Sequence, residues 1–241
     1  MRQDDVSNDA IMIPLRDENP TKIFPFVTIA IIIINTLVFI YELTQGQHLE
    51  DKIMQFAVIP YNLIHTHSPR VLLTLVTSLF FHAGLAHLFG NMLYLWVFGN
   101  NIEDRLGHLK FVFFYLLCGV VATFGHLLTN ANSKIPVLGA SGAISGVLGA
   151  YLILYPRAKV LVLIPLFYIW RIAKVQALWF LVFWIVLQFL YAGTTSALTI
   201  GEEGQGVAWF AHIAGFFSGI LFLRLFLRKD TRITDEINRD F

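Results

Sequence analysis

The sequence predicts an all-α membrane protein, a bundle of six transmembrane helices with a short, sunken fourth helix. Three observations lead there. Hydrophobic residues make up 56% of the chain and charged residues only 14%, with a mean hydropathy of +0.67. Soluble globular chains sit near roughly 45–50% apolar and about 25% charged. Next, six apolar runs approach the ~20 residues that a helix needs to cross a bilayer. They are Phe24–Leu43, Ala83–Asn100, Phe111–Leu128, Gly139–Tyr155, Gln176–Ala192 and Val207–Leu227. Finally, if the N-terminus lies inside, fourteen Lys and Arg fall on the inner side of these runs and three on the outer. Basic residues concentrate on the cytoplasmic side of membrane proteins.

These observations set the frame for the whole chain. One domain is expected over residues 1–241. It comprises a cytoplasmic N-terminal segment (1–23), a six-helix membrane core (24–227) and a cytoplasmic tail (228–241). Both termini are then cytoplasmic, and no cleavable signal peptide is expected before the first run. A net charge of +1 offers no basic surface for nucleic acid. Cys118 is the single cysteine, so no intramolecular disulfide forms.

Two apolar pieces remain, Val71–Phe81 and Val160–Trp170. Both are too short to span and read as interfacial or re-entrant. A seventh span at Val160–Trp170 would also carry the C-terminal basic cluster outside. The first outer loop, about Thr44 to His82, is long and apolar in part, so it packs on or dips into the membrane surface. The connection Gly193–Gly206 carries three glycines in 201-GEEGQG-206 and reads as either a mobile flap or a plain flexible connection.

Ionisable and polar groups are costly inside a span and point to function. All sixteen acidic residues lie outside the runs or at their margins, with Glu42 and Glu103 nearest. This disfavours carboxylate proton relays and aspartyl proteolysis. No HExxH occurs, which removes that zinc-protease signature, and no metal or other cofactor is expected. Histidine, asparagine and serine remain. In 82-HAGLAHLFGN-91, His87 and Asn91 are four residues apart and share a helix face. In 211-AHIAGFFSG-219, His212 lies one turn into its run. Ser141 opens the fourth run, within 137-VLGASGAISGVLGAY-151, where nine of fifteen residues are Gly, Ala or Ser.

The small residues predict which helices touch. Gly142 with Gly146, and Gly215 with Gly219, form GxxxG pairs that let backbones approach closely in lipid. Ser141, Ser145 and Gly149 form one stripe, and His212, Gly215 and Gly219 another. If the stripes face, Ser141 and His212 meet as a nucleophile and its general base. Pro136 and Pro156 bracket the fourth run and limit its helix to about Ser141–Tyr155. That is roughly 22 Å of rise against a hydrocarbon core of about 30 Å. Ser141 then lies below the outer surface, beside irregular backbone that is tolerated only in protein or along a water-filled cavity. Free amides at the helix start, with Asn91 as a side-chain donor and His87 beside it, are suited to a developing oxyanion. Ser145 reads as packing, and Ser141 alone would read as an N-cap.

On these motifs the chain resembles the rhomboid intramembrane serine proteases. The resemblance is carried by Gly139-Ala140-Ser141-Gly142, by Ala211-His212-Ile213-Ala214-Gly215 with Gly219, and by His82, His87 and Asn91. Glu103 and Gly107 in 99-GNNIEDRLG-107 and the segment 13-IPLRDENP-20 are also similar. The resemblance implies Ser141 as nucleophile and His212 as base, without a carboxylate. It implies oxyanion stabilisation by Asn91, His87 and the Ser141 amide, with His82 in support. Transmembrane protein substrates embedded in membrane lipid are implied, cut near their outer ends, as is a six-helix form in a bacterial inner (plasma) membrane. Substrate entry is implied at Gln176–Ala192 and Gly193–Gly206. Some members carry a tyrosine four residues after the serine, stacked on the histidine. Here that position is Ser145, so another group must orient His212. Two alternatives are a catalytically silent membrane-protein binder or adaptor and a transporter. The sequence leaves the oligomeric state open.

Overall fold

The computed structural model describes residues 12–66, 68–166, 169–198 and 208–227. Among these the chain is mostly helical. Five long helices form the body: α1 (Phe26–Thr44), α5 (Leu85–Leu106), α6 (His108–Asn130), α8 (Ala177–Leu198) and α9 (Trp209–Phe226). Among them lies the shorter α7 (Ser141–Leu154). By length and composition α1, α6, α9 and residues 177–194 of α8 each suffice to cross a membrane. A fifth candidate is the pair Pro69–Phe80 and Leu85–Leu106, bent by 80°. The apolar piece Val71–Phe81 therefore forms α4 (Pro69–Thr77) and a 3-10 turn leading into α5. The multi-pass membrane character expected from composition agrees with this body.

α7 forms the centre. Ten of its residues, Gly142–Tyr151, are buried without interruption. It is short for the reason read in the sequence: it starts at Ser141 and ends two residues before Pro156. Its neighbours reach it through glycine. A Cβ built on Gly149 would collide with the Phe216 carbonyl, one on Gly215 with the Gly142 carbonyl, and one on Gly219 with the Gly146 carbonyl. α7 and α9 therefore meet backbone to backbone, as small-xxx-small pairs allow. α6 closes on a second side, with Ala122 against Gly142 and Cys118 against Gly146.

The other end of the bundle departs from a purely helical expectation. Val160–Trp170, read above as interfacial or re-entrant, forms strand rather than helix among its described residues. Those residues belong to the paired strands β2 (Lys159–Leu166) and β3 (Ile169–Gln176), joined by β1 (Ile13–Asp17) in an antiparallel sheet ordered β1-β2-β3. Val160 and Val162 face the core and are fully buried, opposite Val175 and Ala173. The β-branched run suits a pleated, half-buried surface. The segment 13-IPLRDENP-20 is tied down there. Tyr151 Oη (2.6 Å) and Asn101 Nδ2 (2.8 Å) donate to Asp17 Oδ2, and Asn19 Nδ2 donates to Asn101 Oδ1 at 2.6 Å. Burial raises the Asp17 carboxyl above its ordinary value, while these hydrogen bonds pull it down. Lys174 pairs with Glu18 and lowers that carboxyl.

α1 begins after Pro25, which has no side-chain oxygen with which to cap it. Glu103 of α5 supplies the acceptors. Its Oε1 takes the Val27 amide (2.9 Å), and its Oε2 takes the Thr28 amide and hydroxyl (both 2.7 Å). These are first-turn donors that a helix leaves unsatisfied. His108 Nδ1 also meets Glu103 Oε1, at 2.6 Å. Between α5 and α6, Gly107 takes φ +81°, a conformation that favours glycine.

The expected first outer loop is built from α2 (Leu49–Phe56), α3 (Pro60–His65) and α4. It clasps the strand that descends to α7. Val58 and Val137 exchange backbone hydrogen bonds of 3.0 and 2.7 Å, and the Gly139 amide donates to the Ser78 carbonyl at 2.9 Å. The irregular backbone expected before Ser141 is present and satisfied by protein. α8 runs past Gly193 to Leu198, so the fifth helix is longer than Gln176–Ala192. The rest of the expected flap lies outside the described residues.

Candidate active site

The site is assembled where α7 starts. Ser141 is the first residue of α7, and His212 sits in the first turn of α9. The glycine seam brings these helices together, and His212 Nε2 lies 2.8 Å from Ser141 Oγ. His212 is buried, at 8% exposure, and Ser141 is half-buried. An imidazole nitrogen at that distance can take the hydroxyl proton as the oxygen attacks. Ser145 donates its hydroxyl to the Ser141 carbonyl at 2.7 Å and packs against Gly215.

Asn91 and His87 reach the same place from α5. A Cβ added to Gly139, two residues before Ser141, would lie 2.7–2.8 Å from the His87 ring and 3.7 Å from Asn91 Nδ2. Gly139 also has φ +118°, so both its conformation and its empty side bring the pair close to the helix start. Asn91 Nδ2 is buried and has no hydrogen-bond partner among the described residues. Buried donors are rarely left so. The Ala83 amide approaches His87 Nδ1 at 3.4 Å, which leaves Nε2 to carry the His87 proton. The result is two donors, Asn91 Nδ2 and His87 Nε2, near one helix start with its free amides. Such a cluster can hold a developing oxyanion.

His82 stands behind His87, with ring centroids 5.1 Å apart in an edge-on contact. Its backbone amide donates to Glu42 Oε1 at 3.0 Å. The sequence placed Glu42 at a margin and gave it no task. It is 2% exposed and anchors the chain where α5 begins.

Sequence reasoning also missed the groups that surround the His212 ring. Trp184 of α8 lies 6.1 Å away in a tilted arrangement, and Trp209 meets the ring edge-on at 6.0 Å. Gln188 Oε1 lies 2.8 Å from His212 Nδ1. A signal was available: Gln188 is an amide side chain inside an apolar run, which is where function is expected by default. Among the described residues no cluster of His, Cys, Asp and Glu is arranged to hold a metal ion.

Comparison with known proteins gives the family of the chain. A family model described as "Rhomboid domain" matches residues 69–229. Presenilin-associated rhomboid-like protein A, mitochondrial, of Danio rerio is 36% identical over 115 residues, 46% of this chain and 30% of that protein. Rhomboid protein 1, mitochondrial, of Saccharomyces cerevisiae is 34% identical over 96 residues, 38% of this chain and 28% of that protein. Rhomboid protease GluP of Bacillus subtilis is 32% identical over 133 residues, 55% of this chain and 24% of that protein. The matches thus span under a third of the length of each of these relatives. The family model covers well over half of the chain, including Ser141, His212, His87 and Asn91, and the chain belongs to the rhomboid family.

Proposed function

We propose that this protein is an intramembrane serine endopeptidase that hydrolyses peptide bonds of transmembrane protein substrates near the outer membrane face. The observation that carries the reading is the 2.8 Å contact between His212 Nε2 and Ser141 Oγ. Ser141 Oγ attacks the scissile carbonyl carbon as its proton passes to His212 Nε2. The carbonyl oxygen becomes an oxyanion, held by Asn91 Nδ2, His87 Nε2 and the Ser141 amide. Collapse breaks the C–N bond, and the imidazolium protonates the leaving amine. A water, deprotonated by His212, then releases the acyl group as a carboxylic acid and restores the serine. His82 supports His87. The reading needs no cofactor.

The distribution of Lys and Arg supports six spans with both termini on the cytoplasmic side. It speaks to orientation rather than to organelle, and two of the relatives above carry mitochondrial names.

A fluorophosphonate probe should label the wild type in detergent and leave Ser141→Ala unlabelled, and the same substitution should abolish cleavage of a model transmembrane substrate. Equal labelling of the two would sink the assignment. Asn91→Ala should lower the turnover rate by about 100- to 1,000-fold, the usual cost of one oxyanion donor. The effect should fall on kcat with KM little changed, because the donor acts on charge that develops only in the transition state. Single-substrate kinetics in micelles measures both.

A further inference from the structure

We infer that Gln188 is the positioning residue of the dyad: through its side-chain carbonyl it holds the proton on His212 Nδ1 and leaves Nε2 free to serve as base for Ser141. The inference rests on the proposed hydrolase reading and names a third member that the family resemblance does not supply.

The amide's orientation follows from its surroundings. Gln188 is buried, at 5% exposure, on the face of α8 that meets α9. Its Nε2 donates to the Trp184 carbonyl one turn earlier, at 3.2 Å. A carbonyl accepts only, so the NH2 group must point there. Gln188 Oε1 is left facing His212 Nδ1 at 2.8 Å. An amide oxygen accepts only, so Nδ1 must carry the proton. Neutral imidazole has one N–H, and Nε2 therefore presents a lone pair to Ser141 Oγ. The tautomer is settled by two hydrogen bonds outside the reacting atoms.

The same contact fixes the ring. The position where some family members carry a stacking tyrosine is Ser145 here, and its hydroxyl is engaged with the Ser141 carbonyl. Trp184 and Trp209 limit the tilt of the imidazole, and Gln188 sets its rotation about the Cβ–Cγ bond. A carboxylate would do this more strongly, but an unpaired charge in a buried position is costly. A neutral acceptor orients the ring without that cost. It also stabilises the imidazolium less than a carboxylate would.

Three variants and two readouts test this. Gln188→Leu removes the acceptor and should slow fluorophosphonate labelling by about 10- to 100-fold, a part of the roughly 100- to 10,000-fold that general-base catalysis itself supplies. Gln188→Glu restores an acceptor and should recover most of the rate, with the acidic limb of the pH–rate profile moved upward, because a carboxylate favours the imidazolium. His212→Ala should abolish labelling and identifies the His212 signal by its absence. The second readout, nitrogen NMR of histidine-labelled protein in micelles, does not depend on activity. It should show His212 protonated on Nδ1 in the wild type and shifted towards Nε2 protonation in Gln188→Leu.

The inference is overturned if Gln188→Leu labels within about twofold of wild type, or if the tautomer is the same in both. It is also overturned if Gln188→Leu and Gln188→Glu lose equal rate with identical pH profiles, which is the mark of a packing role. A wild type that does not label, yet shows Gln188-dependent Nδ1 protonation, overturns the hydrolase reading and upholds the contact.

Discussion

Gly219→Ala should cost this protein about 3 kcal/mol or more, at or beyond the top of the range for overpacking a core. For a chain of this size that is roughly 6–12 °C in unfolding temperature. Two effects compete. Alanine in place of glycine favours a helix by about 1 kcal/mol. Against this, the added Cβ meets the carbonyl, carbonyl carbon and Cα of Gly146, all of them backbone. No rotamer relieves a backbone clash, so α7 and α9 must part. A displacement of about 1 Å at reacting groups costs on the order of 100-fold in rate, so probe labelling should fall as well. Gly90→Ala is the internal control, because a Cβ there has nothing within 4 Å. It should be neutral or stabilising by a few tenths to 1 kcal/mol. Thermal unfolding in micelles checks both, and equal unfolding temperatures would refute the close-packed seam.

Glu103→Ala should be the other severe loss, on the order of 3–5 kcal/mol, the usual cost of removing one partner from a buried polar or ionic network. Glu103 is fully buried and accepts from the amides of Val27 and Thr28, the Thr28 hydroxyl and His108. Without it the first turn of α1 keeps unsatisfied donors, each costing about 1–3 kcal/mol when buried. Pro25 offers no substitute cap. Glu103→Gln retains one good acceptor but turns an NH2 group towards other donors, so it should fall between wild type and alanine. Because marginal stability is only about 5–15 kcal/mol, the alanine variant should also express poorly. An unfolding temperature within 2 °C of wild type, on the scale of under about 1 kcal/mol, would show that α1 does not depend on this cap.

The centre of this molecule was legible because its determinants are local. Proline on both sides sets the length of α7, and the glycines every fourth residue name the face that another helix approaches. Ser141 and His212 then follow from register. The sheet was not legible, because Ile13 finds its partner at Leu163, and no local pattern announces a pairing 150 residues away. An apolar run such as 159-KVLVLIPL-166 is ambiguous between a buried strand and a short helix. Gln188 was missed for a different reason. The polar inventory of the spans stopped at histidine, asparagine and serine, although an amide can orient a ring as well. Glu42 and Glu103 were seen but set at the margins. Hydropathy locates the end of a span and says nothing of which helix start a carboxylate reaches.

The seam between α7 and α9 also limits how the protein can move. A sliding interface needs side chains that yield, and here backbone rests on backbone at Gly142, Gly146, Gly149, Gly215 and Gly219. A slip of one residue brings a Cβ where only hydrogen fits. The next matching setting lies four residues on, about 6 Å along the axis, and it would carry His212 past Ser141. The two helices therefore behave as a detent with a single notch. A bilayer that thickens or thins must be accommodated outside the seam, as by the peripheral α1, while the distance between hydroxyl and imidazole stays as the notch sets it.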